Sequence, residues 1–374
     1  MKKSLIFGTS RIVAMKLKQV FGDEQGLSNR GIIGFVDNVK LRNTFLGLPV
    51  FLPEEVKTSE FDNIVIVSAS DPQGVYYRLV HEYGIQHDKI APEKYLANIK
   101  IISDYYNGKI QDAETVQTVH QLETLNNFDI WCGYCPKPRE KYEVIWDEEC
   151  NMPYVIYESK KMYYPREWPP EANMNVIDGK EYVIGVEFEQ QPGSPHTYIT
   201  DDIYVKEGDV VVDAGVCEGN FAIKYIDKVS KLYLIECDPL WVEALKMTFR
   251  DYMDKVVICQ KFLGGTNNDK TITLDKLIVN DRVDFIKMDI EGAEIDALKG
   301  AKNVFLNNDI RCSICSYHKH DDEKNIREIL GSYGYSTGTS NGHMIFPLDK
   351  EFFKWCELRH GIVYGKKGEF QAPK

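Results

Sequence analysis

Residues 209–221 read DVVVDAGVCEGNF, and this stretch decides the fold. Its run of valines has the continuous β-branched character that a parallel strand covered on both faces requires. The strand ends in Asp213 and opens into a turn spaced D-x-G-x-x-x-G, where Gly215 and Gly219 let the backbone cross tightly and approach a ligand. A helical stretch, NFAIKYIDKV, starts at Asn220, and a second apolar run, KLYLIE, ends in Glu236. Glu236 lies 23 positions after Asp213, the distance at which α/β nucleotide folds place an acid to grip ribose hydroxyls. Strand, glycine turn, helix, strand and acid make one βαβ half-unit with its ligand groups at the carboxyl ends of the strands, where open α/β sheets bind ligands.

The side chains of the turn narrow the ligand. A dinucleotide pyrophosphate prefers G-x-G-x-x-G, whereas this turn carries Cys217 and Glu218 between its glycines, and a negative side chain disfavours a phosphate. S-adenosylmethionine has no phosphate, carries a sulfonium cation and an amino acid tail, and suits an acidic turn. Asp213, Gly215, Glu218, Gly219, Asn220 and Glu236 are therefore the candidate cofactor-binding residues of a methyltransferase site.

Outward from this turn, strands near DVVVDA, KLYLIE, KVVICQ, VDFIKMD and RCSICSYH, separated by helical stretches, predict a doubly wound parallel sheet over 206–346. Residues 3 to about 100 have a separate α/β rhythm, with strands in KSLIFG, GIIGFVDN, LPVF and FDNIVIVSAS, a helix around IVAMKLKQVF and a capped helix at LPEEV. This is a smaller Rossmann-like unit. Its first turn, GTSRIVA, lacks two glycines of the dinucleotide fingerprint, so a scaffolding or sugar-nucleotide role stands beside an NAD site. Between the two, proline and aromatic residues accumulate (YYPREWPP) and PYVIYESKKMYY alternates like a β-ribbon. The expected organisation is thus a nucleotide-binding or scaffold domain over 1–104, a connecting and lid-forming region over 105–200, and a methyltransferase domain over 201–374.

Length and composition agree with two to three globular domains: 374 residues, 43% hydrophobic and 27% charged. A balance of 45 basic against 57 acidic side chains, net −12, argues against nucleic acid as the main partner. The start MKKSLIFGTS has too short an apolar stretch for a secretion signal, and no window approaches the roughly 20 apolar residues of a bilayer span. The expectation is a cytoplasmic chain without membrane insertion, with its nine cysteines as thiols of a reducing compartment. Whether it forms a homo-oligomer stays open.

Several further groups could carry chemistry. In VDFIKMD, strand alternation puts Lys287 and Asp289 on one face, where a lysine inside a covered strand needs a partner and Asp289 is at hand. Glu291 and Gly292 form the following turn, and Glu294 reads as a first-turn helix acid favoured by the dipole. RCSICSYH ends in Tyr317 and His318, where a histidine can accept a proton from an attacking hydroxyl. His320, Asp321 and Asp322 read as a solvated turn and the cap of EKNIREIL, and Thr273-Leu274-Asp275 as a helix cap. His196 and Tyr198, in GSPHTYI, can fold over the mouth of the site or form an ordinary proline turn. Catalytic candidates are His318, Asp289 and Lys287, and substrate candidates are His196, Tyr198, Glu291 and Tyr317. Asp289, Glu291 and His318 have the donor types of a divalent metal site, but spacing alone does not select one, and no metal ligand is assigned.

Three patterns mimic other chemistries. Trp131–Cys135 resembles a thioredoxin motif but runs into prolines rather than a helix. Cys312 and Cys315 fall on opposite faces of a strand, and Tyr157 with Lys161 sits on a strand, where a dehydrogenase pair would need a helix.

The residues DVVVDAGVCEGNF, TLDKL, VDFIKMDIEGAEIDALKGA and SYHK, in that order and spacing, resemble the FkbM family of S-adenosylmethionine-dependent methyltransferases, with IKMDIEGAE as the most recognisable string. The resemblance covers roughly residues 195–346. It implies a class I methyltransferase fold, S-adenosylmethionine at Asp213, Gly215, Gly219 and Glu236, and O-methylation, commonly of sugar or polyketide-derived hydroxyls. Where the family turn reads G-A-N-x-G, this chain has Gly215-Val216-Cys217-Glu218-Gly219, with the glycine spacing intact. The neighbouring Rossmann-like unit points to a sugar or glycan acceptor, as in surface polysaccharide synthesis. The rival readings are an NAD-dependent nucleotide-sugar dehydrogenase or epimerase, and a nonenzymatic nucleotide-binding scaffold.

Overall fold

The computed structural model describes residues 3–10, 13–14, 17–18, 24–29, 31–56, 61–67, 72–86, 89–92, 104–106, 108–109, 112–124, 140–167, 174–177, 180–186, 190–279, 281–344 and 356–370. The chain divides into two compact units, one made of 1–131 with 345–357 and the other of 132–344 with 358–374. The region expected to connect two domains is therefore shared: helix Ala113–Thr124 lies in the first unit, and the strands from Lys141 to Ile184 lie in the second.

In the first unit, strands run in the order Thr44–Phe45, Leu48–Phe51, Ile32–Val36, Ser4–Phe7, Asn63–Ile66 and Ile90–Pro92, all parallel except the first. Alternation along Ser4–Phe7 sends Leu5 and Phe7 into one core cluster with Val36 and Ile64, and Ile6 into another with Phe35 and Val65. The sheet is thus covered on both faces, as the apolar runs predict. Asp37, after the second strand, accepts from the Thr9 amide at 2.9 Å and the Thr9 hydroxyl at 2.6 Å, both through Oδ2. That carboxylate ties the first turn to the neighbouring strand. Of the predicted helix around IVAMKLKQVF only 13–14 and 17–18 are described, and Trp131–Cys135 lies outside the described residues.

The second unit is built on seven strands, here β1 (Val210–Ala214), β2 (Lys231–Ile235), β3 (Val256–Cys259), β4 (Phe285–Met288), β5 (Arg311–Cys315), β6 (Ser336–Thr339) and β7 (Ile362–Lys366). Their order is β3-β2-β1-β4-β5-β7-β6, with β7 antiparallel to both neighbours. The five expected strands are all present, and two more close the far edge. The order reverses at β1, so β1 and β4 diverge into the crevice where doubly wound sheets bind ligands. Every residue of β1 and β4 is buried. One sheet face packs Val212, Ala214, Ile286, Met288 and Ile314 against Leu298, Phe305 and Leu330. Each fully buried Val, Ile, Leu, Met or Phe side chain among them contributes roughly 1.5–3 kcal/mol.

Helices that matter below are α1 (Asn220–Tyr225), α2 (Pro239–Thr248), α3 (Leu274–Leu277), α4 (Glu294–Lys299), α5 (Lys302–Asn307) and α6 (Asp322–Ser332). Thr273 caps α3, its side chain accepting from the Lys276 amide. Asp275 does not share that role. Its carboxylate instead accepts the Asn303 and Val304 amides at 3.1 and 2.9 Å, capping α5. Before β1, Met152–Tyr157 and Lys160–Tyr163 form an antiparallel hairpin, so Tyr157 and Lys161 are strand residues as read. The hairpin is fixed to α2, with the Tyr163 amide on the Thr248 hydroxyl at 2.9 Å and Tyr164 edge-on to Trp241.

Candidate active site

The turn after β1 is set by backbone crossings. Gly215 has φ 74°, and a Cβ built there would fall inside the Asp289 carbonyl, so only glycine fits. Gly219, φ 84°, occupies the N-cap of α1 against Leu245 and Phe249. Between them Cys217 also takes a left-handed conformation, φ 51°, a strained position that non-glycine residues rarely hold.

Glu236 secures this turn from β2. One carboxylate oxygen accepts the Cys217 amide at 3.0 Å and the other accepts the Asp238 amide at 2.9 Å. Each oxygen keeps a lone pair for a ribose hydroxyl. Asn220 is buried, its carboxamide between Gln190 and its own helix turn. Burial and the charges of Glu218 and Glu236 push the Cys217 thiol well above its usual range. The field over the turn is thus negative, which fits a sulfonium and repels a phosphate.

Asp213 and Lys287 sit beneath the turn. Parallel register places them side by side across β1 and β4, with Lys287 Nζ 3.1 Å from Asp213 Oδ1 and 2.6 Å from the Gly215 carbonyl. The expected Lys287–Asp289 pairing is corrected: the cross-strand neighbour is Asp213, and the ammonium is spent on holding the glycine turn. Burial pulls the lysine toward neutrality, yet Asp213 and Asp289 outweigh it and keep Lys287 cationic. Burial pushes the Asp213 carboxyl up against the pull of Lys287. Asp213 is 0% exposed, so it shapes the cofactor turn from below instead of touching the ligand surface.

Asp289, just after β4, is the hub of a second cluster. Its Oδ2 accepts from the Tyr198 hydroxyl at 2.7 Å and lies 3.4 Å from His196 Nε2, and its Oδ1 lies 3.4 Å from both the Tyr317 hydroxyl and His318 Nε2. Burial opposes its charge, but the hydrogen bond and charge of His196, with Lys287 and His318, hold its carboxyl far below the usual range. It is a poor base and a strong acceptor. His318 is raised above its ordinary value: burial works against the cation, and the close approach of the Glu294 carboxylate with the charges of Asp289 and Glu291 overcomes it.

His196 and Tyr198 are both 2% exposed and pack into this cluster, and the proline turn is present as well, closed by the Thr197 amide on the Ser194 carbonyl at 3.2 Å, so both readings of this stretch hold at once. Tyr198 also lies under Lys287, whose Nζ is 5.3 Å from its ring centre. Glu291 is 92% exposed, in a left-handed turn with φ 55°, and reaches to 3.7 Å from His318 Nε2.

Three residues escaped the sequence reading. Cys315 faces the cluster, its Sγ 3.4 Å from His196 Nε2, while Cys312 points into the opposite core as strand alternation requires. Arg359, 3% exposed, donates to the Tyr317 carbonyl at 2.9 Å and the His318 carbonyl at 3.3 Å. Glu294 does begin α4, but its carboxylate is 0% exposed and turned inward to His318 Nδ1 at 3.1 Å. Asp322 is a correction too. His320 and Asp321 are exposed, whereas Asp322 is 3% exposed, accepts the Lys319 amide at 2.7 Å, and is pushed up to about 6 by burial.

Residues 167–337, spanning β1 through β5 and the first half of β6, match the model of the methyltransferase FkbM domain. The second unit carries an FkbM methyltransferase domain. The activity of such a domain is S-adenosylmethionine-dependent methyl transfer, and the acidic glycine turn above fits that cofactor. Solved structures similar to the chain include a methyltransferase FkbM from Methylobacillus flagellatus, 16% identical, covering 97% of this chain and 90% of that one with a TM-score of 0.41. A Synechocystis magnesium protoporphyrin IX methyltransferase with bound S-adenosylmethionine is 16% identical over 43% of this chain and 71% of its own, TM-score 0.30. A Geobacter metallireducens precorrin-6y C5,15-methyltransferase is 12% identical over 44% and 82%, TM-score 0.30. No curated protein sequence matches the chain. No described helix is long and apolar enough to cross a membrane.

Proposed function

We propose that the FkbM methyltransferase domain methylates a hydroxyl of a sugar or glycan precursor, as in surface polysaccharide synthesis, and that the reaction runs in the cytoplasm. The observation that carries the reading is the Asp289 cluster, which gathers two histidines, two tyrosine hydroxyls and two carboxylates at the carboxyl ends of β4 and β5, next to the glycine turn. Such a set positions and deprotonates a hydroxyl.

S-adenosylmethionine supplies a methyl group on a sulfonium, transferred by in-line displacement with a neutral thioether leaving. The protein's own work is then orientation and one proton. Glu236 and the Cys217 turn hold the donor, Asp289 accepts a hydrogen bond from the acceptor, and His318 takes the hydroxyl proton as the O–C bond forms. Orientation of this kind lowers barriers by about 7 kcal/mol or more. The free thiols among the described cysteines are in keeping with a reducing compartment.

The reading is tested by incubating the full chain with methyl-labelled S-adenosylmethionine and a panel of nucleotide sugars, free oligosaccharides, RNA and protein. Label entering carbohydrate as an alkali-stable methyl ether supports it. Label confined to RNA, protein or carboxyl groups overturns it.

A further inference from the structure

Glu294 explains itself twice over as a helix residue: it opens α4, and its Oε1 accepts the Ile290 amide at 2.9 Å. Neither role requires a fully buried carboxylate beside an imidazole. Glu294 Oε2 is buried with no hydrogen-bond partner among the described residues, and Oε1 is 3.1 Å from His318 Nδ1. The other ring nitrogen, Nε2, is also buried and faces Asp289 Oδ1 at 3.4 Å, with the exposed Glu291 at 3.7 Å. Two carboxylates therefore address the two nitrogens of one ring separately.

We infer that Glu294 is a positioning residue: its carboxylate takes the Nδ1–H of His318, which fixes the ring and leaves Nε2 as the nitrogen that receives the acceptor proton. The inference deepens the O-methyl transfer reading and rests on it. The ring is at hydrogen-bond distance without full alignment here, as is common in unliganded sites, where such bonds tighten when substrate binds. The proton balance closes. The acceptor O–H bond breaks, its proton goes to Nε2, the acceptor oxygen gains the methyl, and the cation formed on His318 lies between Glu294 and Asp289. A buried acid that orients a catalytic imidazole through Nδ1 is the arrangement of hydrolase triads, here serving a different reaction.

One atom from each of Asp289, Glu294 and His318 also lies within 4.8 Å of the others. A shared cation would bind only one ring nitrogen, whereas the acids face different ones, so the geometry favours proton relay over a metal. The other groups around the ring are Tyr317, its ring tilted 40° to the imidazole with centroids 4.1 Å apart, Asp322 on α6, and Lys319, whose ammonium is held by the Gly292 carbonyl.

The test is nitrogen NMR of the free full chain with labelled histidine, the His318 signals assigned by their loss in His318→Gln. Neutral wild-type His318 is expected as the Nδ1–H tautomer, titrating above the usual histidine range. In Glu294→Gln the midpoint is expected to fall by about one pH unit, a tenfold change in proton affinity, and the Nδ1–H preference to be lost. A wild-type Nε2–H tautomer, or an unchanged tautomer in Glu294→Gln, overturns the inference. So do His318 signals that broaden with manganese and recover with chelator, which would make the trio a cation site. The wild-type tautomer decides the matter even if the variant misfolds, and it needs no acceptor, so failure of the methyl-transfer reading would show separately in the labelling assay.

Discussion

Lys287→Met is the sharpest perturbation the fold allows. The side chain keeps its length and loses its charge, which sits 3.1 Å from Asp213 and 2.6 Å from the Gly215 carbonyl, with the two side chains only 5% and 1% exposed. Removing one partner of a buried pair leaves the other charge uncompensated and costs about 3–5 kcal/mol. In a unit of this size each kcal/mol moves the melting temperature by roughly 2–4 °C, so thermal denaturation followed by circular dichroism should show a drop of about 6–20 °C. The sign of the pH dependence follows from Asp213. Burial already pushes its carboxyl up, and without Lys287 nothing opposes that push. Its folded pKa then stands further above the unfolded value of about 3.9, so the penalty is full at high pH and shrinks as pH falls toward 4. Adding Asp213→Asn to Lys287→Met should recover a large part of the loss. A melting temperature within about 2 °C of wild type at neutral pH, under 1 kcal/mol by the same scale, would refute the claim that this pair is buried and matched.

Three further outcomes follow from the site. Gly215→Ala drives a Cβ into the Asp289 backbone, and since a displacement of about 1 Å at a reacting group can cost on the order of 100-fold, methyl transfer should fall by at least that much; normal turnover in a well-folded variant would contradict the crossing. His318→Gln should reduce turnover by about 10²–10⁴-fold while leaving cofactor affinity unchanged, read by initial rates and calorimetry on the same preparation; loss of binding instead would move His318 into the cofactor site. Asp322, raised to about 6, binds a proton more readily folded than unfolded, so the native chain should lose stability as pH rises from about 4 to 6. Asp322→Asn should flatten that slope in urea titrations, and an unaltered slope would place the titrating group elsewhere.

The sequence made the strand ends legible because the signal there is local. A valine run, two glycines and an acid at a fixed distance specify β1, its turn and β2 without reference to the rest of the chain. Pairings across the sheet were harder. Lys287 reads as a neighbour of Asp289 along its own strand, but parallel register sets it beside Asp213, and register is a long-range property. Glu294 was hidden by its own sufficiency, since an acid in a first helical turn already has a physical reason to be there. Asp322 was misread for the same cause: it follows a polar turn, and only the packing of α6 buries it. β6, with the sequence STGT and every residue half-buried, carries no apolar alternation, and β7 is reached only through a long excursion after it. His196 and Tyr198 were legible as residue types but not as cluster members, because their placement depends on β5, more than a hundred residues later in the chain.

The central claim is that S-adenosylmethionine is held by the turn that Glu236 ties to β2. Calorimetric titration of the full chain with S-adenosylhomocysteine, beside Glu236→Gln, tests it most directly. The substitution sets an amide –NH₂ against one of two backbone amides, Cys217 or Asp238, and the expected result is saturable wild-type binding weakened at least roughly tenfold, about 1.4 kcal/mol, in a variant that stays folded at the titration temperature. Equal affinity in the two proteins, or no binding by the wild type, would contradict it.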